Sequence, residues 1–167
     1  HEEAYVAMAR KYVDTGQRVV IVGGGWGVST VVAAKQVGEA GSVTCFEASK
    51  IMTNRTSETV RMNGVEAWTE VIHAIVSDDV RIDGAGVSRD ASVVTSGDLP
   101  DCDVLMIDCD GCERKLVADL KGKADMVILE HHAILDGNTV IKYRPDEIGE
   151  KLEEKGYNIL ERNVAAI

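Results

Sequence analysis

Glycines and a distant carboxylate form the spacing in this chain that most clearly points to chemistry. An apolar run breaks into the segment Gly23-Gly24-Gly25-Trp26-Gly27, and a second apolar run ends in Glu47, 20 residues past Gly27. Glycine lets a backbone turn sharply and approach a ligand closely. A carboxylate at the end of the next strand can accept hydrogen bonds from both hydroxyls of a ribose. The pair therefore predicts a site for an adenosine.

The spacing of the glycines indicates which adenosine compound binds. Dinucleotide folds use Gly-x-Gly-x-x-Gly, whose third glycine opens a helix against the pyrophosphate. Here Gly23, Gly25 and Gly27 follow Gly-x-Gly-x-Gly, and Val28 stands where the dinucleotide pattern needs glycine. A nicotinamide-dependent oxidoreductase is therefore disfavoured. The tighter spacing resembles the cofactor loop of class I S-adenosylmethionine-dependent methyltransferases, which implies S-adenosylmethionine as the cofactor.

Strand and helix patterns alternate along the chain, which predicts right-handed βαβ units. We expect an α/β fold with a doubly wound, mostly parallel sheet of about seven strands, the last one cut short, in a single domain over 1–167. The predicted strands are Arg18–Val22, Val43–Phe46, Val71–Val76, Val104–Ile107, Met126–Leu129 and Asn158–Glu161, with a seventh beginning at Val164–Ile167. The predicted helices are Glu2–Val13, Ser29–Val37, Ser49–Met62, Glu113–Leu120 and Pro145–Lys155, and an edge hairpin is predicted over Val80–Val94.

Polar residues that follow the strands are the candidate site, because ligands of such sheets bind beyond the carboxyl ends of the strands. Besides the glycines and Glu47, they are Ser77-Asp78, Asp108-Cys109-Asp110-Gly111 and Glu130-His131-His132. The last two groups are richer in acids and histidines than ordinary loops. We therefore expect Asp108, Asp110 and His131 to face the reacting groups.

A longer stretch of the chain resembles the FkbM-type methyltransferases. Asp108, Gly111 and Glu113 match that family's Lys-Ile-Asp-x-Glu-Gly-x-Glu, with Asp110 in place of a glutamate and Met106 in place of the lysine. Further matches are Gly23, Gly27 and Thr30 in its glycine loop, Phe46-Glu47-Ala48, Met62-Asn63, and Val127-Ile-Leu-Glu130-His131. The resemblance implies methyl transfer from S-adenosylmethionine, usually to an oxygen atom, on a sugar or another small metabolite.

Roles for individual residues follow from this resemblance together with the strand ends. The expected cofactor-binding residues are Gly23, Gly25, Gly27, Thr30, Glu47, Ala74 and Asp108. Asp108, Asp110 and His131 are the expected catalytic residues, with Asp110 or His131 orienting or deprotonating the acceptor. Capping of a helix explains Asp110 and Glu113 equally well, because acids favour a helix amino end.

One departure from the family pattern keeps a second function open. Ile21 stands where the family has an acid that supports the glycine loop or the methionine amino group. The alternative function is therefore a degenerate, non-catalytic domain of the same fold that binds an adenosine or a partner.

Metal binding is not expected, although two sets of ligands are conceivable from the sequence. Asp108, Asp110 and Glu130 could hold magnesium through carboxylate oxygens, as in O-methyltransferases resembling the catechol enzyme. Cys109 and Cys112 form a Cys-x-x-Cys pair that His131 or His132 could complete as a zinc site.

The composition of the chain restricts its partners and its compartment. The 167 residues suffice for one sizeable core, and no apolar run is long enough to cross a membrane. The net charge is −10, and no basic cluster is present to bind a nucleic-acid backbone. The four cysteines show no secreted spacing, so we expect reduced thiols in a cytoplasmic protein. The expected partner is a small-molecule methyl acceptor, not a nucleic acid or a membrane, and a homodimer is compatible with the sequence.

Overall fold

A computed structural model describes residues 2–77, 90–109, 112–120, 124–130, 134–136, 139–141 and 145–160. Its strands are β1 (Arg18–Val22), β2 (Ser42–Glu47), β3 (Thr69–Val76), β4 (Ser92–Val94), β5 (Cys102–Ile107), β6 (Ala124–Leu129), β7 (Ile134–Asp136) and β8 (Thr139–Ile141). Its helices are α1 (Glu2–Tyr12), α2 (Val28–Val37), α3 (Lys50–Met62), α4 (Glu113–Asp119) and α5 (Pro145–Glu154). Two single 3₁₀ turns cover Glu66–Trp68 and Ser96–Asp98.

Six of the strands form one parallel sheet in the order β4-β3-β2-β1-β5-β6. The chain moves outward from β1 through β2, β3 and β4, and then returns to the other side of β1 with β5 and β6. The order therefore reverses between β1 and β5, which is the switch point of a doubly wound sheet. The predicted α/β architecture is confirmed.

Alternation along the central strand divides the core into two layers. Val19 and Ile21 of β1 pack on the side of α1, α2 and α3, whereas Val20 and Val22 pack on the side of α4 and α5. All four side chains are almost completely buried. A strand covered by helices on both faces carries apolar residues at successive positions, as parallel sheets do. This explains why β1 appears in the sequence as a continuous apolar run.

The predicted edge hairpin over Val80–Val94 is wrong in the part that the structure describes. Residues 78–89 lie outside the described residues, and Ser92–Val94 form a parallel edge strand that pairs with β3 in the register Ala74↔Ser92. Strand pairing is decided by the neighbouring strand and not by local pattern, so the polar, glycine-rich stretch before it misled the prediction.

The predicted sixth strand at Asn158–Glu161 is also wrong where it is described. Residues 157–160 have no regular structure, and Leu160 is 69% exposed. Tyr157 instead fixes the segment by donating its hydroxyl to the Ala124 carbonyl at 2.8 Å. Glu161 and Val164–Ile167 lie outside the described residues.

Strands β7 and β8 were not predicted. They pair antiparallel as a separate two-stranded sheet, in the register Ile134↔Ile141. Within the described part of the chain, no helix is both long enough and apolar enough to cross a membrane.

Candidate functional site

The glycine loop lies at the switch point of the sheet. Gly23 follows β1 directly, and its N–H donates to the Phe46 carbonyl of β2 at 2.9 Å. On the other side, Asp108 N–H donates to the Val22 carbonyl at 2.9 Å. A Cβ on Gly23 would collide with the Asp108 carbonyl oxygen, and Gly23 also has a φ of 97°. Only glycine satisfies both conditions.

Glu47 holds this loop with its carboxylate. Its Oε2 accepts the N–H of Gly24 at 2.8 Å and the N–H of Gly25 at 2.9 Å, and its Oε1 accepts the N–H of Ser49 at 2.7 Å. The side chain is 8% exposed. A carboxylate has about four lone-pair positions, so about one position on Oε1 remains for a ligand. The Glu47 side chain therefore points to the loop, as the adenosine hypothesis requires.

Helix α3 holds the carbonyl groups of the same loop. The Thr56 hydroxyl donates to Gly25 O at 2.9 Å, and the Thr59 hydroxyl donates to Trp26 O at 2.9 Å. The sequence reasoning did not find these two residues. The sequence did contain a signal for them, because threonine recurs at every third position of the predicted helix from Thr53 onward. The structure shows that Thr53 and Thr56 are buried polar residues on the core-facing side of α3.

The space above Gly25 is open. This residue has a φ of 51°, and a Cβ built on it meets no atom of the described residues within 4 Å. The adjacent Trp26 is 60% exposed and lies 5.8 Å from the Arg55 guanidinium. Gly27, with a φ of 84°, is the N-cap of α2. The loop thus has a fixed backbone and an accessible surface, which is the arrangement needed to receive a ligand.

Two other predicted cofactor residues lie in the interior. Thr30 is fully buried, and its hydroxyl donates to Cys45 Sγ at 3.5 Å. Ala74 is 1% exposed and packs in the core layer on the side of α4 and α5. The structure therefore brings Gly23, Gly25 and Glu47 together, while Thr30 and Ala74 lie behind them.

The predicted acids beside the loop are partly described. Asp108 and Glu130 directly follow β5 and β6, and both are half-buried at the carboxyl edge of the sheet. Asp110 and His131 lie outside the described residues, as does His132. Among the residues that are described, no group of three or more metal-ligating side chains is found. The alternative magnesium set of Asp108, Asp110 and Glu130 includes an undescribed residue and stays a prediction.

The expectation of four reduced thiols is wrong. Cys109 and Cys112 form a disulfide, with 5.5 Å between their Cα atoms. Their sulfurs are therefore not the thiolates that a zinc site requires. Cys45 and Cys102 are free and buried. Burial raises the pKa of Cys45 to about 12 and that of Cys102 to about 11. Two cysteines separated by two residues can either bind a metal together or form a disulfide. The folded backbone brings Cys109 and Cys112 into the position of a disulfide.

A parallel sheet with a glycine loop at its switch point and an acid at the next strand end defines the Rossmann-like class I methyltransferase fold. The family model described as protein-L-isoaspartate(D-aspartate) O-methyltransferase (PCMT) matches residues 2–85, half of the chain. The chain belongs to this family.

Two solved structures have a similar fold. A SAM dependent methyltransferase from Aquifex aeolicus is 21% identical with a TM-score of 0.54, over 92% of this chain and 78% of that one. A SAM-dependent O-methyltransferase from Thermotoga maritima is 17% identical with a TM-score of 0.56, over 92% of this chain and 50% of that one. At these identities the likeness concerns the fold. The part of the Thermotoga protein that this chain matches is half of that protein's length. Comparison with curated proteins finds no match.

Proposed function

We propose that this protein transfers the methyl group of S-adenosylmethionine to an oxygen atom of an acceptor. The observation that carries the proposal is the glycine loop, whose N–H groups are held by Glu47 while the space above Gly25 stays open. The family description, an O-methyltransferase, supports the choice of oxygen.

The residues of the loop fit this cofactor. The backbone of Gly23–Gly27 offers a close approach without side chains, except for the exposed Trp26. Glu47 Oε1 retains about one acceptor position for a ribose hydroxyl. When bound, S-adenosylmethionine would supply a methyl group on a positively charged sulfur, so that an acceptor oxygen attacks the methyl carbon in line and the sulfur leaves as the neutral thioether of S-adenosylhomocysteine. Holding the two reactants in line is the protein's main contribution, worth about 7–11 kcal/mol in favourable cases.

The acids and the histidine beyond β5 and β6 are the proposed catalytic groups. Asp108 lies at the carboxyl edge beside Gly23 and is proposed to contact the cofactor. Asp110 or His131 is proposed to orient or deprotonate the acceptor hydroxyl, on the strength of the sequence pattern. A positioned base contributes roughly 10²–10⁴-fold to such a reaction.

Two classes of acceptor are supported by different observations. The FkbM-type resemblance of Asp108 to Glu113 favours a hydroxyl group of a sugar or another small metabolite. The family match over residues 2–85 favours the carboxyl group of an isoaspartyl residue in a protein. We propose the small metabolite first, because the resemblance includes the loop next to the expected acceptor site. We also propose, from the same resemblance, that the chain is a methyltransferase of the FkbM type.

A calorimetric titration with S-adenosylhomocysteine tests cofactor binding. The informative variant is Gly25→Ala, which places a methyl group in the opening above the loop. Gly64→Ala is the matched control, because Gly64 also has a positive φ of 67° and open space around it but lies outside the site. We expect similar losses of stability in both variants and a loss of affinity only in Gly25→Ala. Equal affinity in the two variants, or no binding to the wild type, would contradict the proposal.

A methyl-transfer assay distinguishes the acceptors. Transfer of a labelled methyl group is measured with a panel of sugars and hydroxylated metabolites, with an isoaspartyl peptide, and with the matched aspartyl peptide. Transfer to the panel supports the first acceptor class, and transfer to the isoaspartyl peptide alone supports the second. Cofactor binding without transfer to any of them would favour the non-catalytic alternative.

A further inference from the structure

The Tyr5 hydroxyl of α1 is buried without a hydrogen-bond partner. The residue is 3% exposed, and no described residue pairs with its hydroxyl oxygen. Buried polar groups in folded proteins nearly always have a partner, because an unpaired one loses its hydration without compensation. A bound ligand group that forms a hydrogen bond with the Tyr5 hydroxyl would supply the missing partner.

The orientation of α1 directs Tyr5 toward the site. Gln36, near the carboxyl end of α2, donates its side-chain amide to Arg10 O at 2.9 Å and to Val13 O at 3.3 Å. Since α2 begins at the glycine loop, its carboxyl end lies at the opposite edge of the sheet, and so does the end of α1. Tyr5 lies 8 residues before Val13, about 12 Å back along the helix. It is therefore near the edge that carries the loop.

Two carboxylates belong to the same face as Tyr5. Met106 and Ile128 share a core cluster with Tyr5, and Asp108 and Glu130 come two residues after them. The N–H groups of Asp108 and Glu130 each continue the backbone ladder of the sheet, with bonds of 2.9 Å. Side chains two residues apart on a strand point to the same face. Both half-buried acids thus face the layer that contains Tyr5.

Electrostatics agrees with this placement. Burial raises the pKa of Tyr5 well above its usual value, and the negative charges of Asp108 and Glu130 raise it further. The phenol therefore stays protonated, and its oxygen can both donate and accept a hydrogen bond. The corresponding face of β1 offers only the apolar side chain of Ile21.

We propose that the Tyr5 hydroxyl and the Asp108 and Glu130 carboxylates form a binding site for a protonated primary amine. Such a group has three donors and a positive charge, and it would complement two carboxylates and a hydroxyl oxygen. The amine belongs to the amino-acid end of the cofactor or to the acceptor. The first of these sources rests on the proposed function, whereas the amine site itself does not.

Tyr5→Phe removes only the hydroxyl and is the test variant. Its affinity for three probes is compared with that of the wild type by calorimetry and thermal shift. S-adenosylhomocysteine carries the amine, 5′-methylthioadenosine has the same nucleoside without it, and propylammonium chloride is the amine alone. Propanol serves as the neutral control for propylammonium.

The cofactor source predicts that Tyr5→Phe weakens S-adenosylhomocysteine by about tenfold, the loss of one hydrogen bond to a charged group, and leaves 5′-methylthioadenosine unchanged. The acceptor source predicts unchanged binding of both nucleosides and loss of the propylammonium shift. No difference between Tyr5→Phe and the wild type with any probe would overturn the proposal. If the wild type binds neither nucleoside, the proposed function fails, and the propylammonium measurement still decides on the amine site.

Tyr157→Phe is the matched control for stability. The Tyr157 hydroxyl has a partner, the Ala124 carbonyl, so this variant is expected to melt at a lower temperature with unchanged ligand binding. Tyr5→Phe is expected to melt at the same or a higher temperature, because an unpaired hydroxyl is removed. A drop in the melting temperature of Tyr5→Phe as large as that of Tyr157→Phe would show a structural partner and overturn the proposal.

Discussion

At the scale of single residues, Glu47 provides the support that the first strand lacks. Ile21 occupies the position where the FkbM-type pattern has an acid, and its side chain is fully buried in the core. Because isoleucine has no polar side-chain atom, it cannot accept a hydrogen bond from the glycine loop. The Glu47 carboxylate instead accepts two N–H groups of that loop from the end of β2. The departure at Ile21 therefore does not leave the loop unsupported, which weakens the argument for a degenerate site.

Glu47→Gln is expected to destabilise the fold and the site together. An amide has one acceptor oxygen and no charge, so the N–H groups of Gly24, Gly25 and Ser49 lose charge-assisted bonds. We expect a loss of about 1–3 kcal/mol in the free energy of unfolding, measured by urea denaturation, and a weaker affinity for S-adenosylhomocysteine. Glu39→Gln, at an exposed position, is the control and should change neither. Unchanged stability in Glu47→Gln would mean that the carboxylate does not hold the loop.

At the scale of elements, α3 packs against the glycine loop and stabilises its conformation. Its hydroxyl groups reach the loop carbonyls because the threonines recur on the face of the helix that is turned toward the glycine loop. The helix therefore determines the loop conformation in addition to filling the core.

Thr56→Val tests this role of α3. The substitution keeps the shape of the side chain and removes the donor to Gly25 O, so we expect a loss of about 1 kcal/mol in stability and a weaker affinity for S-adenosylhomocysteine. Thr56→Ser keeps the hydroxyl and should retain most of the affinity. Denaturation and calorimetry measure the two effects. If Thr56→Ser loses as much affinity as Thr56→Val, the hydroxyl is not the relevant group.

The segment after β5 carries the disulfide, and a thiol titration checks it. The raised pKa values and the burial of Cys45 and Cys102 keep both thiols protonated and protected at about pH 8, where only thiolates react. We expect no reactive thiol in the native protein, two after denaturation, and all four after denaturation with reduction. Four reactive thiols in denaturant without a reductant would contradict the disulfide.

At the scale of the whole molecule, the net charge of −10 opposes folding by mutual repulsion. Raising sodium chloride from about 0.1 M to about 1 M shortens the screening length from about 10 Å to about 3 Å. We expect the melting temperature at neutral pH to rise by about 2–4 °C, as ~1 kcal/mol gives in a chain of this size. The same titration near the isoelectric point is the control. An equal rise at both pH values would show that repulsion is not the cause.

The sequence alone determined the five helices and the strands β1, β2, β3, β5 and β6, together with the order in which they follow one another. The strand at Arg18–Val22 and the helix ending at Met62 were predicted to within one residue. The spacing of apolar residues indicates which side of a local segment is buried, and that spacing differs between strands and helices. The glycine spacing and Glu47 predicted the cofactor, S-adenosylmethionine, for the same reason, since they are local requirements of a turn and a strand end.

Only the tertiary structure decided which groups meet. The parallel pairing of β4, the threonine bonds of α3, the two bonds from the Glu47 carboxylate to the glycine loop and the packing of Tyr5 against Met106 and Ile128 join residues far apart in the chain. The disulfide joins close neighbours, yet it also depended on the folded backbone. Such contacts depend on strand order and helix direction, which local patterns do not encode.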